Sequence, residues 1–160
     1  KSTLLNQLTE SSVTAENALF ATLNPVSRRL RFPEEREIVV TDTVGFIRNL
    51  PRDLLAAFRT TLEELDEADL LLHVLDASGK DLDAQYEVVR GLLGELDLSD
   101  KPTLLVLNKI DRCAPTVVEG LASRYGAIPV CALDGGTFAP LMDAMESALW
   151  RNGHAAAKGA

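Results

Sequence analysis

Asp42 closes the β-branched run Ile38-Val39-Val40-Thr41, and Gly45 follows three positions later. A carboxylate at the carboxyl end of a strand stands where open α/β sheets bind ligands. A glycine there lets its backbone N–H approach an anion closely, because no Cβ intervenes. Asp-x-x-Gly alone is a weak signal that also describes an ordinary strand-ending turn. It gains weight from Lys1-Ser2-Thr3 upstream and Asn108-Lys109-Ile110-Asp111 downstream. Lys1-Ser2, followed by Leu4, Leu5 and Leu8 at helical spacing, matches the end of the phosphate-binding loop Gly-x-x-x-x-Gly-Lys-Ser/Thr. The glycines of that loop and the strand before it are not among the 160 residues, and the chain reads as a piece of something longer.

These residue types suit a metal-bound triphosphate. Lys1 neutralises β/γ oxygens, and the Gly45 N–H meets the γ-phosphate. Ser2 and Thr22 offer hydroxyls to a magnesium ion, a hard cation that takes oxygen ligands, while Asp42 reaches it through a water. Loss of the γ-phosphate would release both loops, an order–disorder switch. Asp111 supplies the base selectivity. Its carboxylate accepts two N–H groups, which guanine presents on one edge and adenine does not. Sites of that kind reject the wrong partner by about 10⁴–10⁵-fold. Asn108 braces the loops, and the Lys109 stem lies over the base.

The elements that must hold these groups follow from hydrophobic periodicity. Arg28 to Phe32 and Glu37 to Thr41 flank Pro33-Glu34-Glu35-Arg36 as a hairpin, with Leu30 and Phe32 inward and Arg29 and Arg31 outward. Glu10 to Asn24 reads as loop. Pro51 opens a helix through Ala68 carrying Leu54, Phe58, Leu62 and Leu65. Leu70 to Asp76 and Thr103 to Leu107 are continuous apolar runs, as in parallel strands covered on both faces. His73, inside the first run, is expected to be a satisfied core or edge histidine. Helices are predicted over 81–96, 115–125 and 138–151, with Gly126 as a stop signal and a fourth short strand over Ile128 to Ala132. Asp134-Gly135-Gly136 makes a turn. Each polar cluster therefore falls just after a strand. The expected fold is α/β: a mostly parallel sheet flanked by helices, of P-loop NTPase, Ras-like type, lacking its first strand.

Composition narrows the class. With 160 residues and 46% hydrophobic content, one domain with a packed core is expected, over 1–152, followed by a tail or linker over 153–160. A net charge of −8 argues against a mainly electrostatic grip on nucleic acid. The cluster Arg28, Arg29, Arg31 and Arg36 reads as a solvated hairpin. Cys113 and Cys131 suggest neither a disulfide framework nor a zinc site. No apolar run approaches the roughly 20 residues that span a bilayer.

At this point the sequence resembles the HflX family of GTPases. The resemblance is carried by Lys1-Ser2-Thr3, Phe20-Ala21-Thr22-Leu23-Asn24-Pro25, Asp42-Thr43-Val44-Gly45-Phe46-Ile47-Arg48, Asp76-Ala77-Ser78 and Asn108-Lys109-Ile110-Asp111, among others. It implies a cytoplasmic, GTP-binding and GTP-hydrolysing switch, monomeric, associated with the ribosome's large subunit. Nucleotide binding then falls on Lys1, Ser2 and Thr3, on Phe20, Ala21, Thr22, Leu23 and Asn24, on Asp42, Thr43, Val44 and Gly45, and on Asn108, Lys109, Ile110 and Asp111. Cys131, Ala132 and Leu133 stand at the last base-contacting loop, where Ser-Ala-Lys is common. Magnesium falls on Ser2, Thr22 and Asp42. Phe46 replaces the usual water-orienting glutamine, so no catalytic residue is assigned, and slow hydrolysis stimulated by a partner is expected. The alternatives are another ribosome-associated GTPase, or a non-catalytic ribosome-binding module with a defunct nucleotide site.

Overall fold

The structure is a computed structural model that describes residues 1–10, 26–32, 36–43 and 65–151. Glu10, expected in a loop, closes the first helix, while the rest of that loop, the turn at 33–35, the loop from Val44 onward, the helix from Pro51 to residue 64 and the tail lie outside the described residues.

Helix α1, Ser2–Glu10, buries Leu4, Leu5 and Leu8 on one face, as their spacing requires. Strand β1, Val26–Arg31, pairs antiparallel with β2, Glu37–Asp42, setting Leu30 opposite Ile38 and Arg28 opposite Val40. Side chains alternate across the hairpin. Leu30, Phe32, Ile38 and Val40 pack into the core, whereas Ser27, Arg29, Arg31, Val39 and Thr41 face solvent. Of the arginines expected on a solvated hairpin, Arg29 and Arg31 are exposed and held by Glu37, each at 3.2 Å, whereas Arg28 and Arg36 are half-buried and Arg36 pairs with Glu146 at 3.6 Å.

Three strands make the parallel sheet, in the order β3, Leu71–Asp76; β4, Thr103–Asn108; and β5, Ile128–Pro129. The register sets His73 opposite Leu105 and Asp76 opposite Asn108. The crossovers are α2, Leu82–Glu95, and α3, Pro115–Tyr125. Helix α3 has proline in its first turn and ends at Gly126, whose φ of 60° is the left-handed cap that glycine adopts without strain. Period-2 alternation sends Leu72, Val74, Leu104 and Val106 to one core, shared with α1, the hairpin and α4, Ala139–Glu146. Leu75, Leu105 and Leu107 go to a second core beneath α2 and α3, with Leu82, Tyr86 and Leu121. Helices therefore cover both faces, as expected for this α/β fold.

Three details differ from the expected layout. The hairpin is a sheet of its own: among the described residues no strand pairs with the second edge of β2 or of β3, and side-chain packing alone joins the two sheets. The fourth strand is only two residues long rather than Ile128 to Ala132. The Cys131 and Ala132 N–H groups are bonded to the Thr137 hydroxyl and the Asn108 amide oxygen, at 2.9 and 3.0 Å, instead of to a strand. The last helix changes to a π turn over Ser147–Arg151. There Trp150 meets the Phe32 ring edge-on at 5.1 Å, and the Arg36 guanidinium lies 5.3 Å from its centroid. Among the described residues no helix is long and apolar enough to cross a membrane.

Candidate nucleotide-binding site

Three polar residues, Asp42, Asp76 and Asn108, end β2, β3 and β4, the last two at the carboxyl side of the parallel sheet. The start of α1 arrives beside the first of them. The Ser2 hydroxyl donates to Asp42 Oδ2 at 3.0 Å, across 40 residues of chain. Lost hydration pushes the Lys1 ammonium below its usual pKa, and the Asp42 charge pulls it partly back. The Lys-Ser pair and the strand-ending aspartate expected to share a metal-bound phosphate are thus brought together. Thr3 is on the exposed side of α1, and Thr43 follows β2, half-buried. Phe20, Ala21, Thr22, Leu23, Asn24, Val44, Gly45 and Phe46 lie outside the described residues.

The second half of the site is built around Asn108, only 5% exposed. Its Oδ1 accepts the Lys109 N–H at 2.8 Å and the Ala132 N–H at 3.0 Å, tying the loop after β4 to the loop after β5. Lys109 is left-handed, with φ of 65°, which is uncommon for a residue with a side chain. Ile110 and Asp111 continue as a short 3₁₀ turn. Asp111 is exposed, and its Oδ1 accepts from the Cys131 thiol at 3.3 Å. Cys131, where serine is common, thus keeps a donor on the carboxylate. Leu133 is 76% exposed on the same rim. The Thr137 hydroxyl donates to the Asp134 carbonyl at 2.8 Å, closing the loop from inside.

Asn108→Ala is expected to destabilise the protein by about 1–3 kcal/mol, because two loop N–H groups lose their acceptor. Denaturant melts would show it, with guanine-nucleotide affinity falling alongside. A variant as stable as the parent would remove Asn108 from the brace.

His73 departs from expectation. It is 9% exposed, yet its buried Nε2 has no hydrogen-bond partner among the described residues. The ring stacks on Tyr86, centroids 5.8 Å apart and 5° from parallel, so its neighbour presents a π face rather than an acceptor. Burial first, and the Lys1 charge second, push its pKa down to about 4.

Asp76 received no role from the sequence. The signal was present: like Asp42 and Asn108, it follows directly on an apolar strand. Burial alone would raise its pKa, but the Lys109 ammonium and the Ser78 donors hold it below the usual carboxylate value.

Residues 1–109 match the family model described as 50S ribosome-binding GTPase. The chain is 45% identical over 152 residues to GTPase HflX of Magnetococcus marinus, covering 94% of this chain and 35% of that protein. It is 52% identical over 111 residues to GTPase HflX of Escherichia coli strain K12, covering 69% and 26% respectively. The chain belongs to the HflX family of GTPases. It spans about a third or less of these relatives' own length. Among solved structures it resembles Era in complex with MgGDPNP and nucleotides 1506–1542 of 16S ribosomal RNA, with TM-score 0.66 and 25% identity over 90% of this chain and 51% of that one. The P-loop GTPase fold is therefore established. In this HflX-type domain Ser2 meets Asp42 at the end of β2, and Asn108 ties together the loops that follow β4 and β5.

Proposed function

We propose that residues 1–152 are the nucleotide-binding domain, and 153–160 a tail or linker, of a GTP-hydrolysing switch that acts on the large ribosomal subunit. The observation that supports the reading is the Asn108 brace, which ties the loop carrying Lys109 and Asp111 to the loop carrying Ala132, the two loops to which the reading assigns the base. The family model's description supports the ribosomal partner. The same reading makes the protein cytoplasmic and monomeric.

A magnesium ion fits the residues present. Ser2 Oγ and Asp42 Oδ2 are two hard oxygens side by side. Two protein oxygens are too few for an all-protein cage, but magnesium keeps waters and takes phosphate oxygens for the rest. Ser2, Asp42 and Thr22 would hold it, and it would neutralise charge on the phosphates. Lys1 binds and orients the same anion. Proton transfer to or from the attacking water is assigned to no residue of this chain, since Phe46 has no hydrogen-bonding group. A partner supplies or orders the missing element, and the preorganised charge does the rest.

Calorimetry on the full-length protein tests this. GDP should bind in a magnesium-assisted manner and ATP should not compete. Ser2→Ala should weaken the magnesium-dependent part about tenfold, the loss of one charge-assisted contact. Equal binding of ATP and GDP would sink the reading. Rapid GTP turnover without ribosomes would sink the partner-dependent mechanism alone.

A further inference from the structure

We propose that Asp76 is a positioning residue for guanine binding, holding the Lys109 side chain in place along the base site. Lys109 Nζ donates to Asp76 Oδ2 at 2.5 Å, across 33 residues of chain. The register of the parallel sheet makes this contact possible. Asp76 is opposite Asn108, and the Ala77 N–H bonds to the Asn108 carbonyl at 2.9 Å, so Lys109 begins one residue beyond a fixed point.

The carboxylate is held as well as holding. Its Oδ1 accepts the Ser78 N–H at 3.0 Å and the Ser78 hydroxyl at 2.6 Å. The Gly79 N–H returns to the Asp76 carbonyl at 2.9 Å, and a Cβ at Gly79 would stand 3.1 Å from that carbonyl oxygen, so the turn is tight. Both oxygens of Asp76 are therefore engaged before any nucleotide arrives. A lysine stem is otherwise among the most mobile of side chains, and ordering it on binding would cost affinity. Tethered at its far end by Asp76 and at its backbone by Asn108, the Lys109 stem is preorganised as an apolar wall next to Asp111. Asp76 acts only through Lys109.

This rests on the guanine reading above, and the test separates the two. The full-length protein and three variants, Asp76→Asn, Lys109→Met and the double change, are titrated with GDP, and GDP release is timed. Methionine keeps an apolar stem and deletes the ammonium. Asp76→Asn should weaken GDP binding about three- to tenfold, mainly through faster release, as befits a half-exposed pair. In the Lys109→Met background the same change should cost less than about twofold, since contacting residues are not additive. Equal losses in both backgrounds, or none in Asp76→Asn, would overturn the assignment. If Asp76→Asn does not fold, Ser78→Ala replaces it: faster GDP release that vanishes beside Lys109→Met supports the role, and additive release overturns it. Asp111→Asn serves as the control. If it fails to alter base preference, the guanine reading fails; if it alters it while the cycle is additive, only Asp76 is misassigned.

Discussion

Replacing Asp111 with asparagine is expected to cost guanine-nucleotide affinity about 10⁴-fold and to let xanthine nucleotides compete. The carboxylate accepts two N–H groups from guanine, at N1 and at the exocyclic amine. An amide accepts one and turns a donor toward the other, so two donors meet. Xanthine carries a carbonyl where guanine has the amine, and the asparagine amide then finds a complement. The effect is large because the rest of the pocket cannot adjust. Asn108 fixes the flanking loops, and the Cys131 thiol already occupies one side of Asp111. Competitive titration of the full-length variant with GDP and xanthosine diphosphate measures it. An unchanged preference for guanine would mean that Asp111 does not read the base.

The second large effect is on stability, through His73. Its pKa is about 4 in the folded protein against an ordinary value of 6.5. The unfolded chain therefore takes up the proton first. Stability is fully present above the ordinary value and is lost as pH falls from there toward 4, a loss of at most about 3 kcal/mol. Burial of the ring, stacked on Tyr86 and with no hydrogen-bond partner for Nε2 among the described residues, sets this first, and the Lys1 ammonium second. His73→Leu should remove this part of the pH dependence while keeping an apolar contact to Tyr86. Urea midpoints at pH 7.5 and 5, with the imidazole followed by NMR, test it. An imidazole titrating near its ordinary value, or a slope that survives His73→Leu, would refute the account.

Much of the fold was legible because its signals are local. Apolar runs ending in Asp42, Asp76 and Asn108 marked the strands and their ligand-side ends. Pro115 and Gly126 bounded α3 by backbone chemistry alone. The Lys1-Ser2 helix start and the Asn108 to Asp111 cluster were legible as a candidate site because each followed or opened an element in the right order. What escaped depends on contacts distant in sequence. The fate of the His73 nitrogen depends on which helix lies over β3. The brevity of β5 follows from a threonine and an asparagine elsewhere in the chain claiming its N–H groups. Asp76 was visible as a strand end, but its partner became apparent only when the register of β3 and β4 set it beside Lys109.

The position of Trp150 has a practical consequence. It is the one tryptophan of these 160 residues, and it touches Phe32 and Arg36, on either side of the turn between β1 and β2. The same hairpin carries Asp42 at its far end. The indole is thus a built-in optical gauge: any shift of that strand pair on metal or phosphate capture alters what quenches its emission. On the proposed reading, nucleotide capture beside Asp42 should therefore register in the protein's own fluorescence, with no label attached to the nucleotide.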